Sequence, residues 1–272
     1  MVNLVLASMY FLINTTSVFV EMGVYEDTAS RWTHAVMKGA EEPSTTFIKK
    51  LQIKDGKHKN GSRDYIVWAP ANAGTTDKTI GIMWFHGHTG FSERTFNKRI
   101  VKQFSPHMVD KDFFVVIPEM PWSWNTSTRT KRNGRIWQKK GEFTAFVKRV
   151  ESDVKELGVH NIEWRVVGHS AGGSTLATVG STGDLCRMNP TKIVWSDSTY
   201  GYWLEKATSG CLKDFKMDVH IVSSASKTSR SAKRFKNTLA GKNTTIHEEK
   251  FPHLLIGDNI VKLSNLLEAQ RL

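Results

Sequence analysis

Apolar and polar positions along this chain fall into two alternating rhythms. From Asp64 onward, short runs rich in β-branched and aromatic residues alternate with longer stretches of helical spacing, the pattern of strands exchanged with helices. The runs Tyr65–Trp68, Thr79–Phe85, Phe113–Ile117, Ile162–Val167, Thr191–Trp195, Asp218–Val222 and Thr245–Glu249 predict strands. Between them, Ser92–Met108, Glu142–Leu157, Ala171–Val179, Trp203–Thr208, Ser226–Leu239 and Leu255–Leu267 predict helices, with Ser92 expected as an N-cap. The clearest is Glu142–Leu157, whose apolar residues Phe143, Phe146, Val147, Val150, Val154 and Leu157 share one helix face. Residues 119–137 read as a long loop. Such alternation implies an α/β fold with a mainly parallel central sheet and helices on both faces. In these sheets the ligand sits at the carboxyl ends of the strands.

The first quarter reads differently. Residues 1–20 are apolar and uncharged, which suits the hydrophobic region of a signal peptide. No Lys or Arg precedes the run and no small-x-small cleavage site ends it, so a buried N-terminal helix or the remnant of a longer leader fits the same residues. The Asn14-Thr-Thr-Ser break argues against a membrane span. Residues 21–60 are of mixed polarity, with a short helix expected near Thr28–Lys38. The organisation expected is an N-terminal extension over 1–60 and a single catalytic domain over 61–272.

Two strand ends carry chemistry. The segment Trp164-Arg-Val-Val-Gly-His-Ser170-Ala-Gly-Gly173 is an apolar strand ending in Gly-x-Ser-x-Gly, followed by small residues that open a helix. A serine hydroxyl becomes a useful nucleophile where a sharp strand-to-helix turn exposes it and a base takes its proton. Earlier, Thr79–Phe85 runs into His86-Gly-His88-Thr-Gly90, a loop with glycines at 87 and 90 that let it bend toward Ser170. Attack on a carbonyl builds an oxyanion that needs backbone N–H donors. The amides of Ala171 and His88 are the candidates for that oxyanion hole.

With His86-Gly87-His88-Thr89-Gly90 and Gly168-His169-Ser170-Ala171-Gly172 in that order, the chain resembles the α/β-hydrolase superfamily over about residues 64–268. The resemblance implies an α/β-hydrolase fold and a serine hydrolase that cleaves an ester or amide through an acyl-enzyme; it leaves the substrate open. It also implies the order Ser, acid, His. Of the histidines after Ser170, His220 and His247 lie inside predicted strands, whereas His253 follows the last strand and is the expected base, with His247 the alternative. His169 is expected to pack beside or orient the serine turn. The commonest place for the acid, after Val222, reads Ser223-Ser-Ala-Ser-Lys-Thr-Ser and holds no carboxylate. One strand earlier, Asp197 stands at a strand's carboxyl end and is the expected acid, an N-capping role being its alternative.

Composition narrows the setting. Hydrophobic residues make up 39% and charged residues 24% of the 272, as in a soluble globular domain. The net charge of +12 favours anionic surroundings. Basic clusters at Arg129–Lys140 and Lys227–Lys236 come without any nucleic-acid-binding signature, so no nucleic acid partner is expected. No metal cluster or nucleotide loop is present in the sequence, and no cofactor is expected. Trp122, Trp124 and Trp137, interleaved with Arg132 and its basic neighbours, and Tyr200 after Asp197 are expected to wall a site for a small-molecule or polymeric ester or amide, an anionic one included. Cys186 and Cys211 fall near the entry ends of adjacent strands, where a disulfide is permitted alongside two free thiols. A secreted or periplasmic location is expected, with the cytoplasm as the alternative. A non-catalytic α/β-hydrolase-like protein that binds an anionic polymer or surface is the competing functional reading.

Overall fold

The computed structural model describes residues 19–21, 31–37, 46–52, 65–70, 72–87, 92–119, 123–125, 130–132, 137–156, 158–224 and 226–268. Its strands are β1 (Phe19–Glu21), β2 (Arg31–Met37), β3 (Thr46–Gln52), β4 (Tyr65–Ala69), β5 (Thr79–Phe85), β6 (Phe113–Pro118), β7 (Ser123–Asn125), β8 (Thr130–Arg132), β9 (Ile162–His169), β10 (Lys192–Ser196), β11 (Met217–Val222) and β12 (Thr244–Glu249). Ten of them form one sheet in the order β1-β2-β3-β4-β6-β5-β9-β10-β11-β12, and β7 and β8 form a separate ribbon. From β6 to β12 every neighbour is parallel. Strands β1 to β4 run antiparallel, and β4 joins β6 antiparallel.

The predicted strands from Tyr65 onward all form. Over Arg31–Met37, where a short helix was expected, the chain is a strand: Trp32 and Val36 sit at a helical spacing, yet every residue from 31 to 37 is paired with a partner on β3. Sheet pairing outweighs a weak local preference.

Parallel strands with long connections need helices to cross over. These are α1 (Ser92–Thr95), a π turn at Phe96–Ile100 running into α2 (Val101–Phe104), α3 (Glu142–Lys155), α4 (Gly172–Ser181), α5 (Asp184–Met188), α6 (Trp203–Gly210), α7 (Lys227–Lys236) and α8 (His253–Leu263). The strand period of two splits the apolar residues between two cores. Tyr65, Val67, Met83, Phe85, Phe114 and Val116 face α3, α4 and α6. Ile66, Trp68, Ile82, Trp84, Val115 and Val167 face the helix over 92–104 and α8. Both faces are therefore covered, and β5, β6 and β10 are apolar over nearly their whole length, as burial on two sides requires. Trp137, expected in the wall of the site, belongs to the first core instead: it is buried, with its ring 4.9 Å from those of Phe143 and Phe146.

Two cross-links fix the layers. Buried Arg165 on β9 donates to the carbonyls of Leu266 and Glu268 and pairs with Glu163, which ties the end of the described chain to the central sheet. Cys186 in α5 and Cys211 after α6 form a disulfide, with Cα atoms 6.0 Å apart and a sequence separation of 25. Closing a loop of that length stabilises by about 3.5 kcal/mol through the unfolded chain. The paired substitution Cys186→Ser with Cys211→Ser should lower unfolding free energy in denaturant by an amount of that order, and added reductant should then have no further effect.

Candidate active site

The end of β9 makes a turn that few residues accept. Ser170 has φ +53, the left-handed region that costs an L-residue about 1–2 kcal/mol. It is held there from both sides. Its amide donates to Ser196 O at 3.0 Å, and its carbonyl accepts from Gly173 N at 3.1 Å as α4 begins. The helix starts so close to neighbouring strand ends that side chains have no room: a Cβ on Gly172 would sit 2.2 Å from Phe85 O, and one on Gly173 2.1 Å from Ser198 O. The glycines of the motif thus let α4 begin directly against the ends of β5 and β10. The Ala171 amide heads this helix, where N–H groups lack intrahelical partners.

Asp197 repeats the device one strand over. It follows β10 with φ +43, and its amide donates to His220 O at 2.7 Å. Its carboxylate is buried and accepts two hydrogen bonds, from Thr228 Oγ1 to Oδ1 at 2.5 Å and from His253 Nδ1 to Oδ2 at 2.5 Å. With Nδ1 carrying the proton, the opposite ring nitrogen of His253 is left as an acceptor, and it lies 3.0 Å from Ser170 Oγ. His253 opens α8, one residue beyond the loop in which it was expected. The structure therefore brings together the three side chains singled out in the sequence, in one chain of hydrogen bonds. Asp197 does not cap the helix that follows it, where Tyr202 holds the capping position. His247 is remote from this chain, stacked on His220 and 3.6 Å from Asp218.

Two further histidines support the arrangement from below. His169 lies stacked against His253, with ring centroids 5.1 Å apart and planes within 24°. Its Nδ1 is 3.1 Å from Ser196 O, and complete burial, reinforced by the Arg99 charge, keeps its pKa well below the usual histidine range. A neutral ring can pack against His253 without repelling the cation that forms when His253 takes a proton. His86, at the end of β5, is buried as well; desolvation lowers its pKa to about 4. Its Nδ1 lies 2.9 Å from Gly87 O. Glu119 stands 3.9 Å from its other nitrogen, beyond hydrogen-bond range, and accepts instead from the Ser92 amide at 2.7 Å. That carboxylate, from the end of the neighbouring strand β6, satisfies the helix N-terminus that Ser92 was expected to cap.

Of the other predicted site residues, Tyr200 is at the site, where its hydroxyl interacts with the Ser170 side chain. Burial, then the Asp197 carboxylate, raise its pKa, so it is a neutral phenol. His88 and Trp122 lie outside the described residues. Trp124 and Arg132 fall on β7 and β8, and their side chains lie outside the described residues too. Gly87, immediately before His88, would with a Cβ stand 3.1 Å from Ser170 Cβ, so the chain passes close beside the serine at this glycine.

The cleft above Ser170 has a volume of about 560 Å³. Its floor is Gly87, His169, Ser170 and His253, and its walls include Arg94, Lys98 and Arg99 from the helix over 92–104, with Leu254 and Asp258 from α8. Sequence reasoning missed those wall residues. The available signal was the position of that helix directly after the His86–Gly90 loop.

No family model matches the chain, and no curated protein matches it in sequence. Solved structures do match. A ferulic acid esterase superposes with a TM-score of 0.57 at 12% identity, covering 82% of this chain and 97% of that one. An S-formylglutathione hydrolase from Agrobacterium tumefaciens gives 0.53 at 11% identity, covering 85% and 99%. Carboxyl esterase 2 from the fungus Tuber melanosporum gives 0.50 at 13% identity, covering 96% and 98%. At these identities the likeness establishes the fold, which is the α/β-hydrolase fold.

The buried histidines make acid a specific threat to this structure. Unfolded, the His86 ring takes a proton near pH 6.5; folded, only near pH 4. Between those values the unfolded state binds more protons, so stability is full above about pH 6.5 and falls as pH falls through the window. The denaturant midpoint should drop accordingly between pH 7 and 4.5, and His86→Asn should make that drop shallower.

Proposed function

We propose that this protein is a serine hydrolase that cleaves a carboxylic ester, with Ser170 as nucleophile, His253 as general base and Asp197 as the acid that orients it. The observation that carries the reading is the Asp197–His253–Ser170 chain of hydrogen bonds at 2.5 and 3.0 Å, ending on a serine presented at φ +53 at the carboxyl end of a central strand. Such geometry suits acyl transfer. Amide cleavage would use the same groups; the ester reading is favoured because the fold neighbours named above are esterases.

The steps follow from the atoms present. As Ser170 Oγ attacks the carbonyl carbon, its proton passes to His253 Nε2. The buried Asp197 carboxylate balances the imidazolium through Nδ1–H, and Thr228 holds that carboxylate in place. The carbonyl oxygen becomes an oxyanion, for which the Ala171 amide at the start of α4 is one proposed donor and the His88 amide the second. His253 then returns the proton to the departing alkoxide, leaving an acyl-serine and an alcohol. A water attacks the acyl-serine with His253 again as base, releasing the acid and restoring Ser170. Tyr200, beside Ser170, is proposed to border the substrate, and Trp122, Trp124 and Arg132 to extend that border from the loop after β6. The Cys186–Cys211 disulfide supports an oxidising, secreted or periplasmic setting. No helix among the described residues is long and apolar enough to cross a membrane.

A fluorophosphonate probe should label the protein at Ser170. On an activated ester, Ser170→Ala and His253→Ala should each lower kcat by about 10⁴-fold or more, with the double variant little worse than either, because residues acting as one unit are not additive. Asp197→Asn should cost about 10³–10⁴-fold by stabilising the wrong tautomer of His253. Retention of a tenth of wild-type activity by Ser170→Ala would reject Ser170 as the nucleophile, and a folded wild-type protein that takes no label and turns over no ester would remove the hydrolase reading and favour a binding protein.

A further inference from the structure

Helix α8 carries His253 as its first residue, and one turn further in it meets two partners at the same rung. Gly257 lies against the His169 ring: a Cβ there would stand 2.4 Å from His169 Cε1, so the missing side chain lets α8 settle onto the ring on which His253 is stacked. From the helix over 92–104, half-buried Gln103 reaches the backbone of α8 at this same place. Its Nε2 donates to Gly257 O at 3.0 Å, and its Oε1 accepts from Val261 N at 3.1 Å. Those two backbone groups are four residues apart, the spacing at which an α-helix bonds its own N–H to its own C=O. The Gln103 carboxamide thus bridges a rung that α8 could close for itself. A side chain that inserts into this ladder fixes the local course of a helix. Arg99, whose carbonyl accepts from Gln103 Nε2 at 3.3 Å, pairs with Asp258 at 2.6 Å. One helix therefore grips the other at residues 257, 258 and 261.

We propose that Gln103 is a positioning residue for the base: by bridging Gly257 O and Val261 N it sets the seat of α8, and through α8 the reach of His253 Nε2 to Ser170 Oγ. The proposal rests on the hydrolase reading and adds to it a residue that touches none of the reacting atoms. Asp197 and His169 orient the imidazole ring, whereas the place of its Cα is set by the helix that carries it. Proton transfer needs the ring nitrogen within about 2.6–3.2 Å of the hydroxyl. The 3.0 Å from His253 to Ser170 lies inside that range with little to spare. A displacement of about 1 Å can cost 10²-fold in rate. Satisfying the backbone is not what Gln103 is needed for. With an apolar residue at 103, Gly257 O and Val261 N would pair with each other and neither would be left without a partner. The carboxamide supplies a fixed offset between two helices instead, at a point one turn from the base.

The test is Gln103→Met, which keeps the length of the side chain and removes both hydrogen bonds. On an activated ester kcat should fall by about 10- to 100-fold with KM within about twofold of wild type, and the second-order rate of fluorophosphonate labelling should fall alongside kcat. The denaturant midpoint should change little, because the rung closes on itself. In a His253→Ala background the same substitution should have almost no further effect, since a residue that acts through the base has nothing left to act on. Gln103→Glu keeps an acceptor for Val261 N but sets a second acceptor against Gly257 O. It should also lower kcat at unchanged KM, and it stands in for Gln103→Met should that variant not fold. If the folded variant retains more than about a third of wild-type kcat, if its loss appears in KM instead, or if it costs the His253→Ala background as much as the wild type, the proposal is overturned while the hydrolase reading stands. A lowered denaturant midpoint with full kcat would make Gln103 a structural strut and overturn the proposal equally. A folded wild type that takes no label and turns over no ester defeats the hydrolase reading and this proposal with it.

Discussion

A single backbone conformation, that of Ser170 at φ +53, is what the rest of this molecule accommodates. The turn reverses the chain from the end of β9 into α4 within two residues, and it is stable only because its neighbours over-determine it. Ser196 O takes the amide, Gly173 closes onto the carbonyl, and Gly172 allows the helix to start against Phe85 O. Ser196 and Phe85 are themselves the ends of parallel strands. The local strain of about 1–2 kcal/mol is thus offset by the register of the sheet, and a one-residue slip in any of the three strands would release it.

That register also explains how the acid reaches its place. His169 and Ser196 are paired across β9 and β10, and Ser196 and His220 across β10 and β11. Ser170 and Asp197 are the residues just beyond this row, and both leave it in the left-handed conformation. The two side chains therefore stand on adjacent strand ends. His253, arriving at the start of α8, spans them. Its ring rests on the neutral ring of His169, which touches the Ser196 carbonyl in turn.

Much of this could be read in advance. The strands from Tyr65 on, the serine turn, His253 by its place after the last strand, and Asp197 from the missing carboxylate between Ser223 and Arg230 all follow from local pattern and chain order. What was illegible depends on partners far away in sequence. Residues 31–37 are a strand because β3 pairs with them; Ser92 needs no cap of its own because Glu119 supplies one; Trp137 looks like its aromatic neighbours in the loop but is gathered into the core by Phe143 and Phe146. The cleft wall was hidden for another reason. Periodicity marks the apolar face of the helix over 92–104, and says nothing about which cations on its other side overlook Ser170.

The division of labour between elements has an evolutionary side. Ser170, Asp197 and His253 hang from the ends of β9 and β10 and the start of α8, all locked by sheet register and by the two cores. Arg94 and Lys98 stand on a helix that contributes none of those three groups, and both are exposed. Mutations there meet little packing and disturb no strained turn. Under the proposed function, substitutions along that single turn of helix would change which molecules the cleft admits and leave the hydrogen-bonded chain beneath untouched.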